Sequence, residues 1–178
     1  MAARFKNRGF TLIELMVVVG IILIITGAAI PSLTSYMRNQ AVRQAQQQII
    51  SDMRSTQVKA LAGTLSDLKV DGSLIRYWGI NFTEDSGVYT IFVNSVEACG
   101  GNIRSTEYLP EGSSDTLALK TVGGNVLPKC ILFEMLDGDI SDPNLSFETR
   151  TIVVRFSSDT GSDKGVTFNR MGLIFAQD

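Results

Sequence analysis

Arg4–Ile30 reads RFKNRGFTLIELMVVVGIILIITGAAI, and this stretch decides the architecture of the whole chain. A short basic segment, Arg4, Lys6 and Arg8, runs into Gly9-Phe10. From Phe10 to Ile30 the only polar side chains are Thr11, Glu14 and Thr26. As a helix these 21 residues span about 31 Å, close to one bilayer core. A secretory signal would have a shorter apolar region ending at a small-residue cleavage site, and Ala28-Ala29-Ile30-Pro31 resembles such a site only loosely. Glu14 is the anomaly. An ionised carboxylate in hydrocarbon costs at least a few kcal/mol, so such a group is paired and functional by default.

Charge sets the orientation. Basic residues stay cytoplasmic, which places the N-terminus inside and everything after Pro31 outside. Residues 1–62 carry seven Lys/Arg against two acids, a net +5; residues 63–178 carry nine against sixteen, a net −7. The outer part is therefore acidic and repels polyanions. Cys99 and Cys130 fit an oxidising compartment. The expectation is a disulfide, with two buried free thiols as the alternative. Closing a loop of this size contributes about 3–4 kcal/mol in the chain-entropy model.

After Pro31, which is expected to kink the helix, the pattern stays helical. Leu33, Tyr36, Met37, Ala41, Ala45, Ile49, Met53, Thr56 and Ala60 recur at steps of three or four. Arg38, Asn39, Arg43, Gln46 and Gln47 fall largely on other faces. Gly63 is a stop signal. The reading is one helix over Phe10–Ala62, about 80 Å long. Its first half, to Pro31, needs lipid or partner helices. Its second half, residues 32–62, packs its stripe on a globular domain.

Beyond Gly63 the period changes to two. Tyr77–Phe82, Val88–Val96, Leu117–Val122, Val126–Leu136, Thr151–Ser157 and Val166–Phe168 with Leu173–Ala176 read as strands. Clusters of Gly, Asn, Asp and Ser separate them. Pro128 demotes the start of its run to an edge or bulge, and Ser157–Lys164 reads as a hairpin loop. The fold class is α+β: a long N-terminal helix packed on an antiparallel, two-sheet β domain over residues 63–178.

The segment KNRGFTLIELMVVVGII resembles the class III signal of type IV prepilins and pseudopilins, matching at Gly9, Phe10, Thr11, Leu12, Ile13, Glu14 and Leu15, with Pro31 where that family places its helix-kinking proline. The resemblance implies a leader over residues 1–9 and cleavage between Gly9 and Phe10 by a prepilin peptidase. N-methylation of Phe10 would follow, then assembly into a fibre with the apolar helices at its centre. It implies an inner-membrane protein with a single pass and a periplasmic domain, later found in a pilus or pseudopilus. Glu14 would face the Phe10 amine of a neighbour; a paired charge in a bundle can fix axial register. The run Val166-Thr167-Phe168-Asn169-Arg170-Met171-Gly172-Leu173 is similar to the C-terminal strand–turn–strand of the GspH/FimT/FimU group of minor pilins and minor pseudopilins. The implied partners are other pilins in a heteromeric fibre or tip complex.

Other chemistry is not expected. The chain has no histidine, which removes His-based triads, ligands and bases. No phosphate loop, dinucleotide fingerprint or nucleophile elbow occurs, and no cofactor or enzymatic activity is anticipated. A weak calcium candidate is Asp137, Asp139, Ser141 and Glu148, at positions 1, 3, 5 and 12 of an EF-hand-like count. Asp142 stands where glycine should, and a solvated acidic loop is the expected reading. Some FimT-type pilins bind DNA through Gly-Arg-x-Arg; this chain lacks that motif, and its acidic outer domain makes nucleic acid an unexpected partner. A minor pseudopilin of type II secretion and a tip-exposed adhesion or DNA-uptake pilin are the alternatives to a minor pilin.

Overall fold

The computed structural model describes residues 10–65, 67–70, 72–110, 117–120, 130–141, 149–156 and 163–177, without the side chains of 28–32, 120 and 156. Leader residues 1–9, including Gly9, lie outside that description. So do Pro128, Glu148 and residues 157–162 of the 157–164 loop.

Helix α1 (Leu12–Leu61) is 50 residues long. Its helical assignment continues through Pro31, whose side chain lies outside the described set, so the expected kink is untouched by the description. The chain divides into two compact units, Met1–Arg38 and Asn39–Asp178. The helix ends on a glycine, as the sequence suggests. Gly63 sits at φ 60°, its N–H bonds Ala60 O at 2.9 Å, and Thr64 N bonds Lys59 O at 3.0 Å. This pair of bonds is the Schellman arrangement, which satisfies carbonyls the last turn would otherwise leave open. Trp78 Nε1 then donates to Thr64 O at 3.1 Å, and the Lys59 ammonium lies 5.4 Å from the Trp78 ring centre.

Eleven strands follow among the described residues. β1 (Lys69–Val70) and β2 (Ser73–Leu74) form a small ribbon. β3 (Tyr77–Phe82), β4 (Val88–Asn94), β5 (Asn102–Tyr108), β7 (Cys130–Glu134) and β8 (Ile140–Ser141) build a five-stranded sheet ordered β5-β4-β3-β7-β8. β6 (Leu117–Lys120), β9 (Thr149–Phe156), β10 (Lys164–Asn169) and β11 (Ile174–Gln177) build a four-stranded sheet ordered β11-β10-β9-β6. Every pairing is antiparallel. The sheets meet where the β3–β4 turn receives β6: Asp85 N bonds Leu119 O, and Leu119 N bonds Ser86 O, both at 3.1 Å. They meet again where Ile140 N bonds Arg170 O at 3.0 Å. The expected α+β arrangement of a helix on a two-sheet antiparallel domain is what the chain forms.

The core follows from period. Val42, Ala45, Ile49, Ile50, Met53 and Ala60 of α1 are buried in one cluster with alternate residues of both sheets. These include Trp78, Ile80 and Phe82 of β3, Ile131 and Phe133 of β7, and Val166 and Phe168 of β10. Each large aliphatic side chain buried this way contributes about 1.5–3 kcal/mol. The alternate residues on the other face of the five-stranded sheet form a second, small cluster of Phe92, Cys130 and Leu132 with Tyr77 packed on it.

Two sequence expectations need correction here. Gln46, assigned to a face away from the core, is 3% exposed. Its Nε2 donates to Gly165 O at 2.6 Å and Gln177 O at 3.0 Å. A polar residue can sit at a core position when its donors meet carbonyls. The strand read as Val88–Val96 stops at Asn94, because the Asn94 side chain turns the chain: its Oδ1 accepts from Ser95 N at 2.8 Å. Its Nδ2 donates to Ala98 O at 3.2 Å and Gly100 O at 2.6 Å. β5 had no counterpart in the sequence reading. Its residues, NIRSTEY, are exposed or half-exposed along the strand, so no apolar alternation marks it.

Candidate assembly site at the helix N-terminus

The first helical turn is capped from within. Thr11 precedes the helix, and the N–H of Glu14 bonds Thr11 Oγ1 at 3.3 Å. Thr-x-x-Glu at this position is the sequence form of a capping box, a signal in Thr11-Leu12-Ile13-Glu14 that the sequence analysis did not use. Glu14 thus sits in the first turn, at the positive end of the helix dipole, where a carboxylate is favoured. It is solvent-exposed, as is Phe10, four residues earlier in the chain and ahead of the helix. Within this chain no salt bridge to Glu14 is formed among the described residues. Glu14, in the first helical turn, and Phe10, ahead of the helix, are the two groups the sequence singled out; Gly9 lies outside the described residues.

Above Glu14 the helix is apolar all round. Leu12, Ile13, Leu15, Met16, Val17, Val18, Val19, Ile21, Ile22, Leu23, Ile24 and Ile25 are each at least 46% exposed. The one polar interruption is self-contained: Thr26 Oγ1 donates to Ile22 O at 2.7 Å. A helix apolar on every side belongs in a membrane or a bundle core, not in water. Among the described residues no helix is long and apolar enough to cross a membrane; the apolar stretch with described side chains, residues 12–27, is sixteen residues.

In the second unit, polar side chains of α1 grip the sheets on both flanks of the apolar stripe. On one flank Gln46, Arg54 and Gln57 reach the four-stranded sheet and its turn. Arg54 Nη2 donates to Ile174 O at 2.8 Å, and Gln57 Nε2 to Gly172 O at 3.1 Å. On the other flank Gln48 Nε2 donates to Tyr108 O at 3.0 Å and to Tyr89 Oη at 3.2 Å. The Tyr89 hydroxyl in turn donates to Asp52 Oδ2 at 2.5 Å. Burial pushes the Asp52 carboxyl above its usual 3.8, against the Tyr89 hydrogen bond that pulls it down; Glu107 adds to the rise and Lys59 opposes it. Burial, followed by the bond to Asp52, pushes the Tyr89 phenol up.

Cys99 and Cys130 are joined in a disulfide, with Cα atoms 5.5 Å apart. Asp137 and Asp139 are exposed, Ser141 pairs with Leu132 in the β7–β8 ladder, and Glu148 is not described. Among the described residues no group of three His, Cys, Asp or Glu side chains could hold a metal.

Residues 4–30 match the family model of the prokaryotic N-terminal methylation motif. The two-sheet fold is similar to that of the type IV minor pilin FimU of Pseudomonas aeruginosa strain PAO1, in two crystal forms. In space group P21 the TM-score is 0.53 at 14% identity, covering 80% of this chain and 92% of FimU. In space group P65 it is 0.50 at 14% identity, covering 76% and 92%. The chain has a pilin-like fold behind an N-terminal methylation motif. This pilin-like chain is also 43% identical over 56 residues to prepilin peptidase-dependent protein D of Escherichia coli strain K12, a match over 32% of its own length. It spans 38% of that relative's length.

Proposed function

We propose that this chain is a minor pilin-like subunit of a type IV pilus, which helps to initiate or cap the fibre. The observation that carries the reading is the N-terminal helix. It is apolar on all sides, opens on a capped Glu14, and precedes a two-sheet domain folded like a minor pilin. A prepilin peptidase cuts between Gly9 and Phe10 and methylates the new Phe10 amine. The helix then anchors the subunit in the inner membrane with its domain in the periplasm. On assembly the helix leaves lipid for the fibre core, and Glu14 meets the Phe10 ammonium of a neighbouring subunit. Removing one partner of a buried pair leaves a charge uncompensated, at a cost of about 3–5 kcal/mol. The likeness to FimU favours a pilus over a type II secretion pseudopilus. Other minor pilins are the partners.

The test is Glu14→Ala expressed in a strain lacking the wild-type copy. The variant accumulates, processed, in the inner membrane and is missing from sheared fibres and tip complexes. Recovery in fibres at wild-type copy number would sink the pairing. Copy number in purified fibres separates a minor subunit, at a few per fibre, from a major one.

A further inference from the structure

The disulfide lies on the wrong side of the sheet to staple the main core. Along β7, Ile131 and Phe133 enter the large cluster with α1, whereas Cys130 and Leu132 belong to the small cluster on the opposite face. Cys130 is fully buried there, and its partner Cys99 is exposed, at the end of the loop that follows β4. Three further contacts press this loop on the same face. Asn94 donates to the carbonyls of Ala98 and Gly100. A Cβ placed on Gly101 would stand 2.3 Å from Val93 O and 3.1 Å from Phe92 Cδ2, so the loop returns in close contact with the sheet. Below it, a Cβ on Gly79 would stand 2.3 Å from Phe92 Cζ, so the Phe92 ring lies directly over the strand. Phe92 is only 1% exposed. The loop, the disulfide and Tyr77 lie on this face beside Phe92.

We infer that the Cys99–Cys130 disulfide is a redox-sensitive clasp over this one face: reduction opens the Ser95–Gly101 loop and uncovers Phe92 and Leu132 while α1 stays seated on both sheets. The exchange balances with a dithiol reductant. A reductant thiolate attacks Sγ of exposed Cys99, the S–S bond breaks, and Cys130 leaves as a thiolate that takes a proton. The second reductant thiol then displaces Cys99 as a thiol and closes the reductant's own disulfide. Two electrons and two protons pass to the protein. After opening, the Asn94 amide still tethers the loop, and the patch around Phe92 is exposed. The inference does not depend on the filament reading.

The test uses the full chain in detergent micelles, oxidised, reduced with dithiothreitol, and as the double variant Cys99→Ser with Cys130→Ser. Hydrogen exchange at short labelling times reads local openings. The expected result is fast labelling of peptides covering residues 92–104 and 130–132 in the reduced and double-variant samples. Residues 42–60 and 150–168 label as in the oxidised protein. If α1 and the four-stranded sheet also label fast, the bond is a global staple and the clasp is wrong. Unchanged labelling everywhere overturns it equally. If the double variant does not accumulate, the reduced wild-type chain decides alone.

Discussion

Replacing Gln46 with alanine tests the seating of the helix on the sheets most directly. The side chain is 3% exposed, and its amide donates at 2.6 Å and 3.0 Å to two backbone carbonyls. Losing two neutral hydrogen bonds costs about 0.5–1.5 kcal/mol each. Gly165 is buried, so its carbonyl is left without water; Gln177 is exposed and recovers a partner from solvent. The one lost methylene adds about 0.8 kcal/mol, and the better helix propensity of alanine returns a few tenths. The sum is a loss of about 1.5–3.5 kcal/mol, or about 4–13 °C in Tm for a domain of this size. The neighbouring Gln47 is exposed, and Gln47→Ala stays within about 0.5 kcal/mol of wild type. The assay is thermal and urea unfolding of the full chain in detergent, followed by circular dichroism. Equal stabilities for the two alanine variants would refute the helix register and, with it, the grip on the four-stranded sheet.

Further outcomes follow from other groups. Gly79→Ala places a methyl 2.3 Å from the Phe92 ring and costs about 1–3 kcal/mol by overpacking; an unchanged Tm would show the ring free to move. Asp52 has its folded-state pKa raised above 3.8. The stability it contributes is therefore full below 3.8 and is lost as pH rises through the folded value. Asp52→Asn, which keeps an acceptor for Tyr89, should match or exceed wild type at neutral pH, with the gap closing toward about pH 4. A gap that widens on acidification contradicts the direction of the shift. Gly9→Val should leave an uncleaved precursor, seen as a larger band on a gel and lacking N-methyl-Phe10 by mass spectrometry. Normal processing would remove the cleavage site from the reading.

The parts legible in the sequence are those where one physical signal dominates. An apolar run with a single acid reads directly, and so do Gly63 as a helix stop and the strand Tyr77–Phe82, whose predicted bounds are those of β3. Two cysteines leave one intramolecular pairing, and the structure forms it. The parts that stayed hidden are those where side chains act through backbone partners far along the chain. Gln46 looks like a surface glutamine because its partner carbonyls are 119 and 131 residues away. β5 is an edge strand exposed along its length, so burial imposes no period on it. The cap at Thr11 was legible as Thr-x-x-Glu, yet a helix start is overshadowed when the apolar signal begins at the residue before it.

The clamps on α1 have a consequence for how such a domain can change. Gln46, Arg54 and Gln57 hold carbonyl oxygens of the four-stranded sheet and its turn, and Gln48 holds one at the end of β5. A carbonyl is present whatever residue carries it. The exposed side chains at Gln177 and Tyr108 can therefore be exchanged without removing an acceptor, provided the backbone keeps its course. The outward surface is free to drift in charge and shape, and so to be refitted to new neighbours, while the shaft it rides on stays held by the same few amides.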